Sequence, residues 1–287
     1  MTSAIKRVGV VGSGIMGSGV AEVAAKAGFE VVLRSRAQTT ADAMIAGLEI
    51  SLGKQVERGK LEDAERTAVL GRVRAVSDLG ELAECDLVLE SIVEDLDTKK
   101  HLFTELDRIC GDAAILATNT STLPVVEMAM ETGRPERVCG VHFFKPAPMM
   151  ALVEVVRAIT TSDETIASAR SFAETCGKTV VDVRDQAGFI VNALLFPYLN
   201  NAVGLLDAGV ATRDGIDAAM KGGCNFPMGP LELLDLVGLD TSLAILDALY
   251  AEFKDPNYAP APLLKRMVSA ERYGRKSGQG FYDYAKK

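Results

Sequence analysis

The chain is poor in the residues that metal and redox sites require. Its 287 residues include two histidines and five cysteines, and no cysteines form a Cys-x-x-Cys pair. Structural zinc and iron–sulfur sites need several closely spaced thiolate or imidazole ligands. We therefore expect no metal, and we expect buried, unreactive thiols at all five positions: Cys85, Cys110, Cys139, Cys176 and Cys224.

Blocks of positive charge and long apolar runs are also missing. The net charge is −8 and no stretch is rich in lysine or arginine, which argues against nucleic acid or an anionic membrane as a partner. The sequence contains no run of about eighteen apolar residues, so it predicts no membrane span. The first residues show no hydrophobic signal region. We expect a cytoplasmic protein.

The sequence contains the alternation of short apolar runs and helical stretches that is typical of an α/β protein with a doubly wound, Rossmann-like sheet. Strands are predicted at residues 7–11, 31–33, 87–91, 114–118, 138–143, 151–156 and 179–183. Beyond residue 186 the strand pattern disappears and helical periodicity takes over, with Gly209, Gly222, Gly223 and Gly238 as expected helix stops. Two domains follow: a dinucleotide-binding domain at 1–186 and an all-helical domain at 187–287.

A glycine-rich loop follows the first predicted strand. Gly12-Ser13-Gly14-Ile15-Met16-Gly17 has the Gly-x-Gly-x-x-Gly spacing and leads into a helix and a second strand. In such a loop the first glycine allows a tight turn, the second lets a pyrophosphate approach the backbone, and the third lets helix and strand pack closely. The alternative is a turn that binds nothing, but the strand–loop–helix–strand order favours a dinucleotide site.

The end of the second strand lacks the acid that usually holds the ribose hydroxyls of NAD. Arg34, Ser35 and Arg36 stand there instead. Two guanidinium groups and a hydroxyl suit a 2′-phosphate. We therefore favour NADP(H) over NAD(H), with NAD(H) use or a solvated arginine pair as the alternatives.

One of the two histidines, His142, lies in an apolar run, and Glu154 lies in the next one. Ionisable side chains are costly to bury without partners. A carboxylate on one imidazole nitrogen fixes the tautomer and orients the ring, as a general base requires. The alternative is a buried structural pair.

Several separated motifs resemble the L-3-hydroxyacyl-CoA dehydrogenase family, in particular its stand-alone 3-hydroxybutyryl-CoA type. They occur in the same order and nearly end to end: the glycine loop, Asn119-Thr120-Ser121, His142-Phe143-Phe144, residues 188–192, 227–233 and 238–240, and the closing residues 278–282. The resemblance implies that His142 is the catalytic base and that Glu154 orients it. It also implies that Ser121 contacts the substrate oxygen and the nicotinamide region, and that Asn192 reaches the substrate from the helical domain.

The resemblance further suggests ligand-side residues. Glu94 and Lys99 would lie near the nicotinamide ribose, and Ser51 and Arg58 would contact coenzyme A. Ser51 and Arg58 share a polar helix face with Lys54, on another face from the apolar stripe of Met44, Leu48, Leu52 and Val56. Two further lysines are cofactor-side candidates: Lys276, and Lys145, which replaces the family's usual asparagine after His-Phe-Phe.

Taken together, these features predict an enzyme that interconverts (S)-3-hydroxyacyl-CoA, of short chain, and 3-ketoacyl-CoA with NAD(P). The alternatives are a related dehydrogenase of a 3-hydroxy acid or a sugar acid, or a nucleotide-binding protein without turnover. Some dehydrogenases of short hydroxy acids use a catalytic lysine, and Lys178 offers one. The helical domain has many apolar faces, at residues 194–206 and 231–236, which predicts a homodimer through this domain.

Overall fold

The computed structural model describes residues 5–284. The chain divides into two compact units, Met1–Asp185 and Gln186–Lys287, whereas the sequence predicted a boundary after residue 186. No helix within the described range is long and apolar enough to cross a membrane.

The first unit is built on a sheet that has eight strands among the described residues. They are β1 (Arg7–Val11), β2 (Glu30–Arg34), β3 (Val73–Val76), β4 (Leu87–Glu90), β5 (Ile115–Thr118), β6 (Val138–Phe143), β7 (Leu152–Arg157) and β8 (Thr179–Arg184). Their order is β3-β2-β1-β4-β5-β6-β7-β8, and every neighbouring pair is parallel except β6 and β7. The strand order reverses between β1 and β4, and ligands of such sheets bind at the carboxyl ends beside this point.

The helices of this unit cover the sheet, which explains why the central strands are apolar on both faces. They are α1 (Ile15–Lys26), α2 (Gln38–Glu57), α3 (Asp63–Gly71), α4 (Leu96–Ile109), α5 (Val125–Ala129) and α6 (Asp163–Thr175). All residues of β4 and β6 are buried. The predicted fold class, a Rossmann-like sheet with a second helical domain, is confirmed.

The apolar stripe predicted on the second helix lies on α2. Met44, Leu48 and Leu52 are buried in the core with β1 and β2, while Val56 is only half-buried near the end of the helix. A fully buried leucine stabilises the fold by roughly 1.5–3 kcal/mol. The stripe therefore fixes which face of α2 is turned outward, and with it the polar face that begins at Ser51.

Strand β3 was not predicted. Its four residues, Val73–Val76, include one charged side chain, Arg74, and only Val76 is buried. It is the edge strand beside β2, so one side of its backbone makes no ladder and its apolar signal is short. A four-residue edge strand is too weak a pattern to recognise without its neighbour.

The second unit is helical. Its helices are α7 (Val191–Asp207), α8 (Arg213–Cys224), α9 (Pro230–Val237), α10 (Leu239–Phe253) and α11 (Pro262–Ser269). Its core is formed by leucines and phenylalanine from α7, α9, α10 and α11, including Phe196, Leu199, Leu234, Leu249 and Leu264, together with Ile216 from α8.

Two of the expected helix stops were wrong. Gly222 and Gly223 lie inside α8, which ends one residue later and is followed by Asn225 in the left-handed conformation (φ 57°). Asparagine is the second choice after glycine for that conformation, so the actual stop was masked by the glycine pair before it. Gly209 (φ 68°) and Gly238 (φ 106°) do follow helix ends.

The expectation of five buried thiols was also wrong at one position. Cys85, Cys110 and Cys139 are buried and Cys176 is half-buried, but Cys224 is exposed at the end of α8.

Candidate active site

The glycine loop joins β1 to α1, and one of its three glycines borders open space. A Cβ on Gly12 would lie 2.2 Å from the Ser91 carbonyl oxygen, and a Cβ on Gly17 would lie 2.2 Å from the Gly12 carbonyl oxygen. A Cβ on Gly14 would meet nothing within 4 Å. Gly12 and Gly17 are thus required by protein packing, whereas Gly14 borders open space.

The amino terminus of α1 is available to an anion. Gly14 is its N-cap, no side chain caps it, and its first turn contains no acidic residue. Its first backbone N–H groups, at residues that include Ile15 and Met16, therefore have no helical partner. Unpaired amides at a helix terminus suit a pyrophosphate, so the loop fits the dinucleotide that its sequence predicted.

His142 and Glu154 are directly opposite each other on the antiparallel pair β6 and β7. Cross-strand neighbours project to the same face of a sheet, and the Nδ1 atom of His142 lies 2.8 Å from Oε2 of Glu154. Both side chains are almost fully buried. A carboxylate accepts a hydrogen bond from Nδ1–H, and in that tautomer Nε2 of the imidazole presents a lone pair.

Ser121 lies on the other side of the imidazole. Its Oγ atom is 3.1 Å from Nε2 of His142, in the turn that follows β5. This turn is held by Glu94, whose Oε1 atom accepts hydrogen bonds from the Thr120 hydroxyl at 2.5 Å and from the Ser121 backbone N–H at 2.8 Å. Asn119 joins the same turn to β6, because its side-chain oxygen accepts from the Phe143 backbone N–H at 2.8 Å.

Beneath this turn lies a buried charge network. Lys99 is 1% exposed, and its Nζ atom lies 2.6 Å from Oε1 of Glu90 and 3.3 Å from Oε2 of Glu94. Glu90, at the end of β4, is fully buried and also accepts from the Thr118 hydroxyl at 2.7 Å. Lys99 therefore supports the Ser121 turn from behind, through Glu94.

The segment after β2 turns its polar groups in different directions. Arg34 donates from Nε to the Ser77 carbonyl at 3.2 Å, and Arg36 is exposed. Ser35 is buried, and its hydroxyl donates to Thr40 at 2.8 Å. The expectation that the Ser35 hydroxyl serves a 2′-phosphate as a donor does not fit this bond. What Ser35 offers a 2′-phosphate is the absence of a carboxylate at this position.

The predicted polar face of α2 is only partly exposed to solvent. Lys54 and Arg58 are exposed. Ser51 is half-buried, and its hydroxyl donates to Oε2 of Glu22 on α1 at 2.9 Å. The sequence did not reveal this bond, because its partners are 29 residues apart.

The remaining candidates lie as follows. Asn192 is buried in the first turn of α7, in the second unit. Lys276, also in the second unit, pairs with Asp240 at 2.5 Å, so its charge is already balanced within that unit. Lys145 is exposed just after β6.

We assign no catalytic role to two other residues, His101 and Lys178. His101 is exposed on α4. Lys178, the catalytic lysine of the alternative interpretation, donates to the carbonyls of Ala147 and Met150 at 2.7 and 2.8 Å. Lys178 therefore stabilises the turn between β6 and β7.

Comparison with known proteins gives the same assignment for both units. A family model described as 3-hydroxyacyl-CoA dehydrogenase, NAD binding domain, matches residues 7–186, and one described as 3-hydroxyacyl-CoA dehydrogenase, C-terminal domain, matches residues 188–284. The chain is 48% identical over 286 residues to a 3-hydroxybutyryl-CoA dehydrogenase of Mycobacterium tuberculosis (strain H37Rv), covering 99% of this chain and 100% of that one. It is 45% identical over 280 residues to one of Clostridioides difficile, covering 98% and 100%.

A solved structure has a similar fold over the full chain. The (S)-3-hydroxybutyryl-CoA dehydrogenase of Ralstonia eutropha superposes with a TM-score of 0.96 at 40% identity, covering 99% of this chain and 100% of that one.

Proposed function

The chain belongs to the 3-hydroxyacyl-CoA dehydrogenase family, and we propose that it interconverts (S)-3-hydroxybutyryl-CoA and acetoacetyl-CoA with a nicotinamide dinucleotide. The observation that supports this most directly is the Ser121–His142–Glu154 arrangement at the carboxyl end of the sheet. The short acyl chain comes from the names of the relatives, which are called 3-hydroxybutyryl-CoA dehydrogenases.

The proposed chemistry places one proton on His142. The bound dinucleotide supplies the acceptor or donor of the hydride. In the oxidation, Nε2 of His142 takes the proton of the substrate's 3-hydroxyl, and Glu154 stabilises the resulting imidazolium through Nδ1–H. In the reduction the imidazolium returns that proton.

Ser121 and Asn192 complete the proposed site. The Ser121 hydroxyl, next to Nε2, donates to the substrate oxygen as charge develops on it. The family resemblance assigns a substrate contact to the amide of Asn192. Glu94 and Lys99 act at the nicotinamide ribose side: Glu94 carries the Ser121 turn, and Lys99 fixes Glu94. Lys145 completes this cofactor side.

Coenzyme A would lie along the polar face of α2. Among the described residues, neither Lys54 nor Arg58 forms an ion pair, so both exposed cations are available to the phosphates of CoA. Ser51 borders the same face one turn earlier.

A preference for NADP(H) is the finer part of the proposal. Arg34 and Arg36 flank Ser35, and the 20-residue helix α2 begins just beyond with neither a side-chain cap nor an acidic residue in its first turn. Unpaired amides and two guanidinium groups suit a 2′-phosphate. Measured kcat/KM should be higher for NADPH than for NADH, and Ser35→Asp should reverse the order. A clear NADH preference of the unaltered protein would refute the preference but not the reaction.

The reaction itself is tested by the absorbance at 340 nm with acetoacetyl-CoA and each reduced dinucleotide. Turnover of acetoacetyl-CoA supports the proposal. Activity on a free sugar acid such as gulonate, without activity on the thioester, would select the sugar-acid alternative. Dinucleotide binding without any turnover would select the silent binding protein.

We also propose that the second unit forms a homodimer. Leu194 and Leu205 on α7 are 71% and 47% exposed and stand eleven residues, about three turns, apart, which places them on one face. Leu236 on α9 is exposed as well, whereas Leu199, Val203, Leu231 and Leu234 of the predicted apolar faces are buried within the unit. Sedimentation should show a dimer at micromolar concentration, and Leu194→Glu should shift it to monomer. A stable monomer of the unaltered chain would contradict the dimer.

A further inference from the structure

Glu22 is a buried carboxylate between the cofactor helix α1 and the proposed CoA helix α2. It is 4% exposed, although it stands on a helix whose other buried residues are apolar or glycine. A carboxylate in such a place is costly unless donors surround it.

Three side chains supply those donors. Lys26 Nζ and Gln55 Nε2 donate to Oε1 of Glu22 at 2.9 and 2.8 Å, and the Ser51 hydroxyl donates to Oε2 at 2.9 Å. Burial alone would raise the pKa of Glu22, but the hydrogen bonds from Lys26, Gln55 and Ser51 bring it below its ordinary value. Glu22 is therefore ionised at neutral pH.

This arrangement fixes the polarity of Ser51. An ionised carboxylate can only accept, so the single hydroxyl proton of Ser51 is directed at Glu22. One lone pair of Oγ receives a long contact, 3.5 Å, from Gln55 Nε2. Toward a ligand on the α2 face, Ser51 offers only a lone pair, which accepts from an N–H or O–H group and not from an ionised phosphate oxygen.

We infer that Glu22 is a positioning residue that makes Ser51 a hydrogen-bond acceptor for an N–H group of the CoA thioester. The inference rests on the proposed function. CoA carries such groups in its pantetheine amides and in its adenine amino group. Its phosphates, which have no donor when ionised, are left to Lys54 and Arg58.

Glu22→Gln tests this polarity with little change in size. Lys26 and Gln55 both donate toward one side of residue 22, so the new amide keeps its oxygen there and turns its NH₂ to Ser51. The Ser51 proton then points at the ligand and opposes the N–H group. The KM for acetoacetyl-CoA should rise roughly 3- to 10-fold, the scale of one lost hydrogen bond. Both kcat and the KM for NADPH should stay within about 2-fold.

The sign of the effect separates this inference from simple electrostatics. Removing a negative charge should favour binding of the anionic CoA. Glu49→Gln is the matched control, because Glu49 is exposed on the same helix. It removes the same charge without touching Ser51, and the KM for acetoacetyl-CoA should stay the same or fall.

A second set of variants separates polarity from the stability of the α1–α2 contact. Lys26→Met removes the cation but keeps the Glu22–Ser51 bond, so it should lower the melting temperature and leave the KM for acetoacetyl-CoA unchanged. Ser51→Ala should raise that KM as Glu22→Gln does, and the double variant should be no worse than the larger single effect. If Glu22→Gln does not fold, Ser51→Ala and Lys26→Met still carry the test.

Acetoacetyl-pantetheine, which lacks the nucleotide, distinguishes the two N–H sources. If Ser51 accepts from a pantetheine amide, Ser51→Ala should raise the KM for acetoacetyl-pantetheine as much as the KM for acetoacetyl-CoA. If Ser51 accepts from the adenine amino group, Ser51→Ala should leave the KM for acetoacetyl-pantetheine unchanged. A lower KM in Glu22→Gln, an unchanged KM in Ser51→Ala, or additive effects in the double variant would overturn the inference. Absence of turnover by the unaltered protein would instead refute the proposed function.

Discussion

At the scale of single residues, the proposed site has one imidazole between two oxygens. Nδ1 of His142 faces Glu154 and Nε2 faces Ser121. In the proposed mechanism Nε2 exchanges the substrate proton, and the other histidine of the chain, His101, is exposed on α4.

Replacing His142 should therefore abolish most of the activity. His142→Ala should lower kcat by roughly a hundred-fold or more, which is the usual contribution of a general acid–base group. The measurement is steady-state reduction of acetoacetyl-CoA, with circular dichroism to establish folding. His101→Ala is the control and should retain full turnover. Near-normal kcat in His142→Ala would remove the histidine from the mechanism.

The buried pair of Lys99 and Glu90 should matter more for stability than any surface ion pair. Removing one partner of such a pair typically costs about 3–5 kcal/mol, because the other charge stays buried. We expect Lys99→Met to lower the free energy of unfolding by that order in urea titrations. Lys99→Met with Glu90→Gln should recover a large part of it, since no buried charge is then left over.

Lys100→Met is the adjacent control for this pair. Lys100 is a half-buried neighbour that pairs with Glu127 and Glu131 at the protein surface. Exposed pairs contribute roughly 0.2–1 kcal/mol, so this variant should be close to the unaltered protein. Equal losses in Lys99→Met and Lys100→Met would show that burial does not govern the pair.

At the scale of elements, the glycines of the loop have two different roles: Gly12 and Gly17 allow close packing, and Gly14 borders open space. Gly14→Ala should fold, since its Cβ meets nothing within 4 Å, but the methyl group enters the space where the pyrophosphate is expected. Isothermal titration should show dinucleotide affinity lowered by roughly tenfold, about 1.4 kcal/mol.

Gly47→Ala is a matched control for the glycine substitution. Gly47 is exposed within α2 and also has open space around its Cβ, so alanine should stabilise the helix by about 0.5–1 kcal/mol and leave dinucleotide binding unchanged. Unchanged affinity in Gly14→Ala would show that the ligand does not approach this glycine.

Sequence patterns predicted those elements whose signal is local. The β1–loop–α1 unit and the stripe of α2 were predicted because apolar periodicity and glycine spacing lie within a few residues of each other. Strand β3 was missed because an edge strand has few buried residues. The Glu22–Ser51 bond and the Glu90–Lys99 pair were missed because they join different elements, and only the fold brings them together.

At the scale of the whole molecule, the thiols report how completely the chain is folded. Burial raises the pKa of Cys110 to about 11 and the pKa of Cys85 and Cys139 to about 12, and Cys176, half-buried, is raised to about 12 as well. The thiolate is the reactive form. These four cysteines should thus be almost inert at pH 8, whereas Cys224 is exposed.

Titration with dithionitrobenzoate at pH 8 should therefore count one rapid thiol per native chain and five after unfolding in guanidinium. Cys224→Ser should abolish the rapid phase and leave four thiols in the unfolded state. Two or more rapid thiols in the native protein would contradict the raised pKa of at least one of Cys85, Cys110, Cys139 and Cys176.

The register of β6 and β7 also makes activity a quality check on folding. His142 meets Glu154 only because the two strands pair at that position, and a slip of one residue would send Glu154 to the opposite face of the sheet. A molecule whose strands paired wrongly would be compact but silent. In a refolded sample, specific activity would therefore count the chains that paired these strands correctly, which spectroscopic helix content does not report.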